Sequence, residues 1–143
     1  MAGRPLTRFA SLIAALAFLG QAACAVAADQ RPPLREVSAL RIANYGAPSV
    51  LIEGRDKTGP IVGELNALRR KPWRGGDTKL SCYSTLVLYS GKQTLGTFRI
   101  VPAHIVEREG PKGQPIYSLA IEAGEIPRLS KLLAEIAAPK DCS

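Results

Sequence analysis

Glu107 and Glu109 stand two residues apart in a stretch that reads as extended chain, a spacing that puts both carboxylates on one face of a strand. Two facing carboxylates are the minimum equipment of a glycoside hydrolase, one giving a proton to the leaving oxygen and the other acting as base or nucleophile. His104, three residues upstream, is the only histidine, and so the only side chain whose ordinary titration falls near neutral pH. Together they define one reading, a cell-envelope hydrolase using His104 or the Glu107 and Glu109 pair. The plainer reading of these acids, flanked by Arg108 and Lys112, is a solvated strand edge. Ser81, Ser84, Ser90 and Ser118 sit in no nucleophile elbow, and one histidine falls short of a metal site. The sequence therefore assigns no catalytic residue, no metal and no cofactor.

The second group is basic and aromatic. Arg69, Arg70, Lys71, Arg74 and Lys79 cluster around Trp73, the only tryptophan. Guanidinium groups fork onto carboxylate or phosphate oxygens, an indole offers a flat amphipathic surface, and Gly75-Gly76 lets backbone approach a partner. Arg70, Trp73 and Arg74 are thus expected to form a partner-facing edge for a protein or an anionic envelope component. The alternative is structural: the cations complement a helix C-terminus, Trp73 closes the core edge, and the glycines turn the chain into the next strand. Nucleic acid is not an expected partner, since the cluster belongs to no recognisable nucleic-acid-binding motif.

Where such a surface would work follows from the N-terminus. Arg4 and Arg8 precede an uncharged run from Phe9 to Ala28 that ends in Ala25-Val26-Ala27, the layout of a secretory signal peptide over 1–27. The unbroken apolar core, Leu12 to Leu19, is far shorter than the roughly 20 residues of a membrane span, so no transmembrane segment is expected after cleavage. A lipoprotein signal retaining Cys24 is the alternative; Gln21 stands where a lipobox normally has Leu. Removing Arg4 and Arg8 lowers the formal charge from +7 to +5, a field that favours anionic partners. The two cysteines left, Cys82 and Cys142, form an even pair in an oxidising compartment, and a disulfide between them is expected. The predicted location is periplasmic or secreted.

The elements that must position these residues come from periodicity. Residues 28–36, with Pro32-Pro33, read as an extended tether, and 37–143 as a single domain. Leu40 and Ile42 mark a first strand and Val50 to Glu53 a second, joined around Pro48. Thr58 and Pro60 suit a helix start, Ile61, Leu65 and Leu68 recur at helical spacing, and Arg69-Arg70-Lys71-Pro72 reads as its end. Lys79 to Tyr89 alternates as a central strand, with Leu80, Cys82, Leu86 and Leu88 on one face, and Thr94 to Val101 returns beside it. His104 to Glu107 is a short extended segment, Ile116 to Ile121 a further strand, and Ile126, Leu129, Leu132, Leu133 and Ile136 form the stripe of a last helix. The order β-β-α-β-β-β-α predicts an α+β fold, an antiparallel sheet of about five strands covered by two amphipathic helices. No residue motif ties the chain to a named family. The function expected is a non-catalytic exported binding or accessory module, of which an inhibitor or immunity-type protein is one concrete form.

Overall fold

A computed structural model describes residues 31–122 and 124–142. The expected signal peptide, its Cys24 alternative and residues 28–30 of the expected tether lie outside the described residues. The elements run β1 (Ala39–Ala43), β2 (Val50–Glu53), α1 (Arg55–Arg69), β3 (Arg74–Gly75), β4 (Ser84–Ser90), β5 (Gln93–Val101), β6 (His104–Glu109), β7 (Ile116–Ala120) and α2 (Pro127–Glu135). All strand pairs are antiparallel, in one sheet ordered β2-β1-β4-β5-β6-β7-β3. The fold is α+β as expected, but with seven strands rather than about five. One extra strand is the segment from His104, which pairs along its length with β5 and β7; the other is β3, whose two residues are too few to show a period.

The sheet has an inner face under the helices and an outer face. Directly opposed residues of neighbouring strands share a face, so the register places Leu40, Leu88 and Gly96 in one inner row, and Ile42, Leu86, Phe98, Glu107 and Tyr117 in another. Ile61, Leu65 and Leu68 of α1 and Ile126 and Leu129 at α2 close onto this face. Leu40, Ile42, Leu86, Leu88, Phe98, Ile105 and Leu129 are wholly buried, each contributing on the order of 1.5–3 kcal/mol. The helices also lock to each other. Glu64 on α1 accepts from the Arg128 and Leu129 backbone N–H groups at 2.6 and 3.0 Å, capping donors that the first turn of α2 leaves free.

The connection from β3 to β4 decides what happens on the outer face. β3 lies at one edge and β4 is third from the other, so the chain must cross β7, β6 and β5 to get there. It does so as a strap on the outer face. Thr78 donates to Ser118 on β7 at 3.0 Å, Asp77 accepts from Arg108 on β6 at 2.8 Å and also pairs with Arg99 on β5, and the Tyr83 ring lies against Arg99. Val106, on the outer face, is completely buried although it belongs to no part of the helix-side core. Gly76 starts the strap with φ at 111°, a conformation that side chains resist, while its N–H donates to Ile116 and its carbonyl accepts from Ser118.

The strap also corrects one expected strand. Regular pairing begins at Ser84, not at Lys79, because residues 79–83 belong to the crossing and Cys82 takes a left-handed φ of 55° that interrupts alternation before β4. Helix α1 likewise starts at Arg55, before the expected Thr58; Thr58 is buried in the first turn and its hydroxyl bonds back to the Gly54 carbonyl at 3.1 Å. Cys82 is bonded to Cys142, closing a separation of 60 residues and tying the end of the strap to the tail beyond α2.

Candidate functional site

The end of α1 determines the geometry of the basic segment. Helix ends leave carbonyls without partners, and here Trp73 turns back so that its indole Nε1 donates to the Leu68 carbonyl at 2.8 Å. The ring is 3% exposed and belongs to the core. Arg70, the residue that ends the helix, and Arg74, on β3, are both exposed on either side of it in sequence, and neither forms an ion pair among the described residues. Lys71 is paired with Glu125. Of the predicted edge of Arg70, Trp73 and Arg74, two members are at the surface and the third is inside.

Arg69 points the other way. Its side chain is 5% exposed and its Nη1 donates to both oxygens of Glu107, at 2.6 and 2.5 Å. A carboxylate on the inner face, in register with Phe98, must find cations or be neutralised, and it finds two. The second is Arg31, from the segment read as a tether. Its Nη1 donates to Glu107 at 2.6 Å, its other terminal nitrogen pairs with Glu109, and its guanidinium lies 3.8 Å above the Tyr117 ring and 5.6 Å from that of Trp73. Burial pulls the Arg31 guanidinium below its ordinary value, with Glu107 pulling in the opposite direction. Two arginines and two glutamates thus balance in charge beneath the end of α1.

The arm carrying Arg31 is held by its backbone as well. The Arg31 N–H donates to the Arg69 carbonyl at 3.1 Å, the Pro32 carbonyl accepts from Arg69 Nε at 2.6 Å, and Leu34 exchanges two hydrogen bonds with the Asn66 amide at 2.7 and 3.3 Å. Arg31 and Asn66 carry no local signal, and Arg69, grouped by sequence with the basic cluster around Trp73, turns inward instead. The usable signal was Glu107, because a period of two places it on the same face as Ile105.

Glu107 and Glu109 meet the same two arginines on the inner face, while His104 lies on the other face of the sheet. Glu107 is 1% exposed with both oxygens engaged by arginine. His104 opens β6 on the outer face, and its Nε2 is enclosed without a hydrogen-bond partner among the described residues. A cavity of about 330 Å³ between α2 and the sheet end is lined by Asn44, Ser84, Ile100, Glu122, Ser130 and Leu133 among others, and none of His104, Glu107 and Glu109 reaches it. Among the described residues, no cluster of three metal-ligating side chains occurs and no helix is long and apolar enough to cross a membrane. The chain matches no protein-family model, no curated protein and no solved structure.

Proposed function

We propose that this protein is a non-catalytic binding module of the cell envelope, meeting a protein or an anionic envelope component through Arg70 and Arg74. The observation that carries this reading is that these two guanidinium groups stand exposed without carboxylate partners among the described residues, while Arg31 and Arg69 nearby are engaged inside. An unpaired exposed arginine retains its full fork of donors for a carboxylate or phosphate. The signal-like pattern of residues 1–27 and the Cys82 to Cys142 bond support an exported location. Inhibition of an envelope hydrolase, as immunity-type proteins do, is one form such binding takes. The competing hydrolase reading draws no support from acids engaged by arginine and a histidine whose Nε2 has no hydrogen-bond partner among the described residues.

The test is capture from an envelope extract by immobilised mature protein, with R70A/R74A beside the wild type. The double variant is expected to lose the captured partner at an unchanged melting temperature, and added salt should release the partner from the wild type, since exposed charges are screened. Capture that ignores both arginines and salt would reject this surface.

A further inference from the structure

The Arg31–Leu34 arm lies on the domain the way a bound peptide lies on a receptor. A proline fixes its own φ and pushes the residue before it toward extended chain, so Arg31-Pro32-Pro33 is preorganised as a polyproline II segment. That helix repeats every three residues, which puts Arg31 and Leu34 on one side, and these two residues make the side-specific contacts. Arg31 enters a slot floored by Tyr117 and walled by Glu107 and Glu109, while Leu34 packs against the core and meets the Asn66 amide with both backbone groups. Pro32 and Pro33 between them are exposed, and among the described residues the only hydrogen bond to their backbone is from Arg69 to the Pro32 carbonyl. The receptor side is therefore selective at two positions and indifferent between them, as grooves that read proline-rich segments are.

The arm's own connection to the sheet is strained. Between Leu34 and β1, Glu36 has φ at 58°, and outside glycine that conformation is uncommon. A segment of the same chemistry that is not tied to β1 takes the groove without that strain.

We propose that the groove between the end of α1 and strands β6 and β7 recognises an arginine followed by prolines on another polypeptide, and that the chain's own arm blocks it in cis. This site is separate from Arg70 and Arg74, and its test does not involve them. The probe is a fluorescent pentapeptide with the sequence Gln30–Leu34, capped at both ends, titrated against the full mature protein and against R31A/L34A, which removes both anchors of the arm. The variant should bind saturably and the wild type roughly tenfold more weakly or worse, because only the small fraction with the arm undocked is competent. Replacing the peptide's arginine by alanine, or adding E107Q to the variant, should abolish binding.

A folded R31A/L34A that shows no saturable binding overturns the proposal, as does equal affinity for variant and wild type. Concentration-dependent dimers of the wild type that vanish in R31A/L34A, with no peptide binding, would assign the groove to arms exchanged between copies instead. Should the variant not fold, the wild type answers through trypsin, which cleaves after Arg35 but spares the Arg31-Pro32 bond. Excess peptide should displace the arm and speed cleavage at Arg35, and a rate unaffected by peptide counts against recognition.

Discussion

Two carboxylates in this protein each sit between two arginines, on opposite faces of one sheet. Glu107 lies under α1 between Arg31 and Arg69, and all three are nearly inaccessible; Asp77 lies on the strap between Arg99 and Arg108 and is 42% exposed. The local chemistry is the same and the surroundings are not. Beneath the helix the charges have lost water, so each depends on its partners, and removing one leaves an uncompensated ion in a poorly polarisable medium. On the strap Asp77 and Arg108 keep contact with water, which can replace a lost partner there, and the pair serves to place a loop more than to stabilise a fold. The lesson is that position relative to solvent, more than the number of ion pairs, decides which acid the fold cannot lose.

The largest difference between the two faces is expected at Glu107. Glu107→Ala should cost about 3–5 kcal/mol, read as a shift of the urea midpoint, because two buried guanidinium groups lose their main partner. A loss below about 1 kcal/mol would mean that water reaches this cluster and that the two faces are alike. Next comes the covalent tie on the strap side. Cys82→Ser should cost up to about 4 kcal/mol, the chain-entropy value for a loop of 60 residues, and lower the melting midpoint by about 4 °C or more per kcal/mol.

Asp77→Ala should cost no more than about 1 kcal/mol, a difference that shrinks further in high salt. Made together with Cys82→Ser, it should cost more than in the wild type, because the strap would then have lost two of its anchors; strict additivity would show that the two act independently. The smallest effect concerns Glu125. Its hydrogen bond from Lys71, and then that from the Glu122 backbone N–H, hold its carboxyl below the ordinary range. A lowered folded value gives stability that is complete above the unfolded carboxyl's pKa of about 4.3 and is lost as pH falls through the folded value. Wild type and Glu125→Gln should therefore differ slightly in urea midpoint at neutral pH and converge in acid.

Local patterns revealed much of this architecture. Ile61, Leu65 and Leu68 recur at helical spacing and Leu86 and Leu88 alternate, and each set faces the core as its period requires. The bond between Cys82 and Cys142 followed from an even count. The strap did not show, since Lys79 to Tyr89 alternates throughout and only the left-handed backbone at Cys82 separates crossing from strand. Nor did the ionic cluster: Arg31 and Arg69 reach Glu107 across 76 and 38 residues of chain, and no window along a sequence reports such a meeting. Trp73 had two readings because a tryptophan beside a helix end serves a surface or a core equally well; its bond to Leu68 puts it in the core. Arg70 and Arg74 are exposed, where local sequence placed them.

The sheet order has a consequence for how the chain is made. Strands β4 to β7 form a continuous meander, whereas β1 and β2 border it at β4 and β3 borders it at β7. A ribosome delivers β1, β2, α1 and β3 first, and at that moment a lone hairpin has no sheet to join and β3 has no neighbour at all. β1 waits for residues near Tyr89 and β3 for residues near Ser118. The first third of the domain is thus synthesised well before its partners, and folding is postponed until the meander exists to be clasped from both sides. An architecture that cannot assemble from its leading end delays folding during synthesis without any separate device.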